Sequence, residues 1–196
     1  MKQAFYLFFA LVVFSCADNA EKDGDYFYNA KEYQSAITEY SNYLELHPDN
    51  VKSLYNRGRS FEELGQYDKA VADYLKVLEV EDKNHNAKLS LSKHFYREKQ
   101  YEKAFTYAKQ VIETNGNNAI AHLFAAKAKH QLGYRDEAMK SYNAAIKLDR
   151  DLGEAYLYRG ALQINLGKQT AGCNDLKMAQ SLDVAEAANA LKAYCK

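Results

Sequence analysis

Residues 51–84 read VKSLYNRGRSFEELGQYDKAVADYLKVLEVEDKN, and the residue types of this stretch return every 34 positions. Aligned on it, Gly58 has the counterparts Gly24, Ser92, Ala126 and Gly160, and Ala70 has Ala36, Ala104, Ala138 and Gly172. Between these small-residue columns runs a third, Tyr33, Tyr67, Tyr101, Arg135 and Gln169. Five units follow one another from Ala17 to Glu186 without insertion or loss: residues 17–50, 51–84, 85–118, 119–152 and 153–186. A fixed period of this length marks stacked helix–turn–helix repeats. It points to a binding scaffold and away from a self-contained enzyme.

Within the quoted unit the pattern predicts one helix over about 51–64 and a second over about 67–80. Gly65, like Gly133 and Gly167 at the same place in later units, permits the positive φ that ends a helix. Asp68, Glu102 and Asp136 follow just inside the second helix, where carboxylates favour the positive end of the helix dipole. Leu54, Gly58 and Phe61 share a face of the first helix, and Ala70, Tyr74 and Val77 a face of the second. The small residues let the two helices approach closely, so a large side chain there overpacks the pair. The columns Ile37, Val71, Phe105, Met139, Cys173 and Leu44, Leu78, Ile112, Ile146, Gln180 lie off that face. They are expected against the first helix of the next unit, because a lone repeat cannot bury both its faces.

Gly24, Tyr33, Ala36, Tyr40 and Pro48 stand at the offsets of the tetratricopeptide repeat, which the whole stretch resembles. The resemblance implies an all-α fold, a right-handed superhelical solenoid of helix–turn–helix repeats, closed by a C-terminal capping helix over 184–196. Departures are local. Pro48 is the single proline, its counterparts being Asp82, Gly116, Arg150 and Val184. The aromatic column Phe27, Phe61, Phe95 turns polar at Lys129 and Gln163, in the same two units where the tyrosine column does. Paired loss predicts that these two positions touch within a unit.

The N-terminus is of another kind. Lys2 precedes an apolar run from Ala4 to Phe14, followed by Ser15 and Cys16. The run is too short to span a bilayer and suits the apolar core of an export signal over 1–15. Val13-Phe14-Ser15-Cys16 resembles a bacterial lipobox, which implies that Cys16 receives a lipid and becomes the new N-terminus. The other reading is an ordinary signal cut near Ser15 or Ala17. Residues 16–17 then form the tether, since Asp18 and Glu21 have the spacing of a helix-capping box. With Cys16 lipidated, Cys173 and Cys195 remain as an even pair. Their positions on the last repeat and the capping helix let the sulfurs meet in a disulfide, the alternative being two buried free thiols.

The chain has 196 residues, with 26 Lys+Arg against 26 Asp+Glu, so no basic field points to nucleic acid. Most of its 17 tyrosines fall in repeat columns and are read first as core. Of the histidines, His122 and His130 are placed to share a helix face, but neither they nor the cysteines have zinc-site spacing. Ser90 and Lys93 match a Ser-x-x-Lys pattern, but its companion motifs are missing. No metal, cofactor, small-molecule substrate or catalytic residue is expected.

By resemblance to the family, the first helices line a concave face. The residues expected there are Tyr28, Tyr55, Arg59, Lys93, Tyr96, Arg97, Lys127, His130, Leu157 and Ile164. Aromatic and basic groups gather in the middle units, while Asp18, Glu21 and Asp25 make the first unit acidic. Glu21 and Asp25, or Tyr55 and Arg59 one unit on, stand where the family's chaperone-binding members carry the opening Lys and Asn of a carboxylate clamp, and do not reproduce it. The expected function is a lipid-anchored lipoprotein of the bacterial cell envelope that binds a protein or peptide partner. The alternatives are a subunit of an envelope assembly machine, of the barrel-assembly or pilus-assembly type, and an enzyme centred on Ser90, Lys93 or the histidines.

Overall fold

A computed structural model describes residues 20–195, and every regular element among them is an α-helix. In chain order these are α1 (20–29), α2 (Tyr33–Leu46), α3 (Val51–Glu63), α4 (Tyr67–Val80), α5 (His85–Arg97), α6 (Tyr101–Thr114), α7 (Ala119–Gln131), α8 (Arg135–Leu148), α9 (Gly153–Asn165), α10 (Gln169–Ser181) and α11 (Ala185–Tyr194). The chain is an all-α helix–turn–helix repeat solenoid. It divides after Ala87 into two compact units. In the first, α2 packs on α3 and α3 on α4; in the second, the same succession joins α6 to α7 and continues to α11. The expected signal peptide and the Cys16 attachment point, with Asp18, lie outside the described residues.

The turn inside each repeat is built the same way five times. The N–H of Gly65 donates to Glu62 O and that of Gln66 to Phe61 O; residues 31–32, 99–100, 133–134 and 167–168 repeat this pair of bonds. The two bonds satisfy the last carbonyls of the first helix as a Schellman cap, which requires a left-handed residue. Gly65, Gly133 and Gly167 supply it with φ of 70°, 85° and 75°. Lys31 and Lys99 adopt φ of 62° and 57° at the same position, so the turn geometry persists where glycine is absent. Between repeats, Asn50, Asn84 and Asn118 cap the following helix by accepting from the N–H three residues on, at 2.9, 3.0 and 2.9 Å.

Close packing explains the small columns. A Cβ on Gly58 would lie 2.8 Å from the ring of Tyr74. In the last repeat the approach is backbone to backbone: a Cβ on Gly172 would lie 2.7 Å from Gly160 O and 2.5 Å from Ile164 Cγ1. At the third repeat Ser92 replaces the glycine, and its buried hydroxyl donates to Ala104 O at 2.7 Å. Ser92 is thus a packing residue.

Tyr40, Tyr74 and Tyr142 are fully buried at one repeat position, which Ala108 and Leu176 fill in the other units. Met139 and Ile146 pack against a core that combines Tyr142 with Ala155 and Leu162 of the next repeat, as their columns require. Gln180, in the Ile146 column, is exposed. α10 ends at Ser181 and α11 begins at Ala185, two residues ahead of the period. The left-handed Asp183, with φ of 59°, makes that early turn.

Two further contacts brace the hairpins. Arg57 donates to both carboxylate oxygens of Asp73 at 2.9 and 2.7 Å and to Ser41 at 3.2 Å. Arg159 does the same to Asp175 at 2.7 and 2.8 Å and to Asn143 at 2.8 Å. The aromatic columns pair differently from the sequence expectation. Tyr33 meets Tyr28 at 5.6 Å between centroids and Tyr101 meets Tyr96 at 5.5 Å. The ring of the second helix therefore rests on the residue after the Phe27 or Phe95 column. Phe95 instead stacks on Tyr107.

Candidate partner-binding face

The first helices carry all ten residues expected on the binding face, and each unit gathers some of them into its own cluster. In the first unit Arg59 Cζ sits 5.0 Å above the Tyr28 ring. Arg59 is exposed, Tyr28 half-buried, and burial raises the Tyr28 hydroxyl above its ordinary pKa. Tyr55 is half-buried against Tyr74, 5.6 Å between centroids, and the Tyr74 hydroxyl donates to Glu62 at 2.9 Å.

The acidic residues of this unit are not an open face. Asp25 accepts from the Tyr40 hydroxyl at 2.7 Å, Lys52 Nζ at 2.6 Å and the Asn56 amide at 3.1 Å. Glu21 accepts from Ser53 Oγ at 3.3 Å and lies 3.6 Å from Lys52 Nζ. Burial pushes the Asp25 carboxyl upward, but the hydrogen bonds from Lys52 and Tyr40 outweigh it and hold the group below its usual value. These carboxylates join α1 to α2 and α3, which corrects the expectation of an acidic surface.

In the second unit the cluster centres on Lys127. Its side chain is 9% exposed, and Nζ lies 4.3 Å from the ring centroid of Tyr158, 5.1 Å from Tyr96 and 5.7 Å from Phe124. Glu154 faces it at 3.5 Å from a largely open position. The Gln131 amide donates to the Tyr96 hydroxyl at 3.4 Å. His130 is half-buried, its ring 6.4 Å from that of Tyr142 between centroids and nearly perpendicular to it. Burial, with Arg135 nearby, lowers its pKa, so it is neutral at pH 7. Behind it the Tyr142 hydroxyl, fully buried, has no hydrogen-bond partner among the described residues. Burial raises its pKa far above the ordinary tyrosine value, so the hydroxyl keeps its proton.

The remaining expected residues separate. Lys93 is exposed. Arg97 is exposed at the end of α5, its Nε 3.4 Å from Glu98 and its guanidinium 2.9 Å from His94 Nδ1. Leu157 is half-buried. Ile164 is half-buried and packs within the last hairpin, against Gly172. Of the histidines first considered together, His122 is tied to Gly116 O at 3.0 Å and His130 to the tyrosine cluster. An open groove of about 410 Å³ lined by His122, Lys129, Glu137, Lys140, Ser141 and Ala144 contains none of the ten expected face residues.

Sequence reasoning missed Lys52, Asn56, Tyr142, Glu154 and Tyr158 as parts of these clusters. The signal was in the register: Asp25 and Lys127 occupy one repeat position, and Lys52 and Glu154 another. The ion pair is kept and its sign reversed. At the C-terminus Cys173 Sγ and Cys195 Sγ are 1.98 Å apart, with Cα atoms 5.7 Å apart, within the span a disulfide bridges. The Gln169 amide donates to Tyr194 O beside them.

Family models described as tetratricopeptide repeat match residues 22–87, 55–120 and 119–152. The chain belongs to the tetratricopeptide repeat family, whose members serve as protein-interaction scaffolds. Among solved structures it is similar to MamA from Desulfovibrio magneticus RS-1 (TM-score 0.76, 16% identity, 86% of this chain and 95% of that one). It is also similar to TTC0263, a thermophilic protein of Thermus thermophilus (TM-score 0.70, 22% identity, covering 89% and 98%). YrrB, described as having an unusual peptide-binding site, aligns with TM-score 0.69 and 20% identity over 88% and 90%. At these identities the likeness is one of fold. No curated protein matches the sequence.

Proposed function

We propose that this chain is an exported scaffold, lipid-anchored through Cys16 to the bacterial cell envelope, that holds a peptide or protein partner against the first helices of its repeats. The observation that carries the binding half is the set of half-buried rings with cations over them, Arg59 on Tyr28 and Lys127 on Tyr96 and Tyr158. Tyrosine and arginine are favoured interface anchors, and a ring already fixed by a neighbour loses little freedom on binding. The peptide-binding description of YrrB supports the same reading. The anchoring half rests on the apolar run that ends at Cys16.

Detergent-solubilised pull-down of the native protein, followed by mass spectrometry, tests the first half. Arg59→Ala is expected to weaken capture of the recovered partner with melting unchanged, since Arg59 is exposed. Equal capture by the variant would refute the assignment of the face. For the second half, wild type is expected to take up labelled fatty acid and Cys16→Ser to remain an unprocessed precursor. A wild type without label overturns the lipoprotein reading.

A further inference from the structure

The groove on the fourth repeat opens where the second and third repeats are filled. In the second repeat the Phe61 ring is covered by Lys69, whose Nζ lies 5.4 Å from its centroid. Arg57, fixed by its two bonds to Asp73, lies 6.0 Å from the same centroid. In the third, Phe95 lies flat on Tyr107, 5.5 Å between centroids, with Lys103 Nζ at 5.1 Å. The fourth repeat has Lys129 in place of the ring, Ser141 at the Asp73 and Tyr107 position, and Ala125 at that of Arg57. The space these changes leave is the open groove of about 410 Å³ lined by His122, Lys129, Glu137, Lys140, Ser141 and Ala144.

The lining is cationic, two ammonium groups standing against the one carboxylate of Glu137. Lys129 Nζ lies 5.0 Å from the ring centroid of Phe105 and 3.2 Å from Glu137. The Lys129 side chain is 16% exposed and that of Glu137 60%, so the cation is the more enclosed of the pair. No hydrogen bond or ion pair occupies the Lys140 ammonium or the Ser141 hydroxyl among the described residues. His122 forms one wall. Its Nε2 donates to Gly116 O at 3.0 Å, since a carbonyl only accepts. A space that rings fill in the neighbouring repeats is thus joined to a set of donors that the protein itself leaves largely unused.

We propose that this groove binds a small aromatic phosphate monoester. The ring takes the place that Phe61 and Phe95 fill in the second and third repeats. The phosphate takes the ammonium groups of Lys129 and Lys140 and the hydroxyl of Ser141. Cations attract both halves of such a ligand, the face of the ring and the phosphate oxygens. A phosphate monoester offers three strong acceptor oxygens, which match these three donors better than a carboxylate does. Glu137 opposes the phosphate and holds its affinity down. None of the ten residues of the partner-binding face lines the groove, so the site goes beyond the scaffold reading and does not depend on it.

Calorimetric titration of the full-length chain in mild detergent compares phenyl phosphate with inorganic phosphate, benzoate and benzyl alcohol. Phenyl phosphate is expected to saturate one site per chain and to bind about tenfold more tightly than any of the others, the scale of one hydrogen bond to a charged group. Lys129→Phe combined with Ser141→Tyr gives the fourth repeat the filling of the third. It is expected to abolish binding without lowering the melting temperature. Lys140→Met, at an exposed position, weakens phenyl phosphate about tenfold on the same scale, and Glu137→Gln tightens it severalfold. Arg59→Ala leaves it unchanged, so a failure here is separate from a failure of the partner-binding face. The proposal is overturned if phenyl phosphate binds no more tightly than inorganic phosphate, benzoate or benzyl alcohol, or if the filled variant still binds it. Should the filled variant not fold, Lys140→Met and Glu137→Gln carry the decision, and unchanged affinity in both overturns the site.

Discussion

Two tyrosines at one repeat position, Tyr40 and Tyr142, are equally buried and differ in what their hydroxyls meet. Removing the oxygen from each by Tyr40→Phe and Tyr142→Phe keeps the ring and its packing, so the comparison isolates the hydroxyl. The Tyr40 hydroxyl donates to Asp25 at 2.7 Å, a bond to a charged acceptor of the class contributing about 1.5–3 kcal/mol. Asp25 retains Lys52 and Asn56 in the variant and is partly reached by water, so the lower end, about 1.5 kcal/mol, applies. At about 2–4 °C per kcal/mol for a chain of this size, the melting temperature drops by roughly 3–6 °C. The Tyr142 hydroxyl has no bond to lose. Its removal relieves an unsatisfied buried group and leaves melting unchanged or raises it, by an amount bounded by about 1–3 kcal/mol. Thermal unfolding followed by circular dichroism, with both variants on the same chain, measures the difference. If Tyr142→Phe destabilises as much as Tyr40→Phe, the two hydroxyls are equivalently bonded and the charge-reversal argument is wrong.

Asp25 also makes stability depend on pH. Its folded pKa lies below the unfolded value, so its contribution is full above about pH 4, the unfolded carboxylate range, and is lost as pH falls through the folded value. The melting gap between wild type and Asp25→Asn is therefore expected to narrow from pH 5 to pH 3; a constant gap would sink the idea. Gly172→Ala, which drives a methyl into the backbone of Gly160, is expected to cost about 1–3 kcal/mol by overpacking less about 1 kcal/mol of helix propensity. Gly58→Ala meets a ring edge instead and is expected to lose less; calorimetry showing the reverse order contradicts the packing account. Denaturing thiol titration of exported protein without reductant is expected to find neither Cys173 nor Cys195 free, and reduction to cost about 3 kcal/mol for a closed loop of 22 residues. Two reactive thiols would refute the pairing.

Period and residue type together made the helices legible. Gly65, Gly133 and Gly167 marked the turns because a left-handed cap favours glycine, and the small columns marked the close faces because no large side chain fits there. What stayed hidden depends on which side-chain atoms meet across repeats. Asp25 and Glu21 looked like an acidic surface because their partners, Tyr40, Lys52, Asn56 and Ser53, lie 15 to 32 positions away. Lys127 looked like a free surface cation, although rings from three different helices cover it. Ile164 shares its repeat position with Tyr28, Tyr96 and His130, and its packing against Gly172 was hidden because the other repeats carry alanine there. The capping helix, expected over 184–196, runs Ala185–Tyr194.

The reversed ion pair has a consequence for how such a gene could change. The repeats look interchangeable, and an in-frame deletion of residues 51–84 would leave every remaining helix, turn and cap intact. It would also bring Asn86 to the place of Lys52 and Ser90 to that of Asn56, leaving the Asp25 carboxylate without its cation. The first repeat is therefore addressed to the second, and the fourth to the fifth, by charge as well as by shape. Duplication and loss of units, the usual route by which repeat arrays grow and shrink, is penalised here at the junctions even though the backbone would tolerate it.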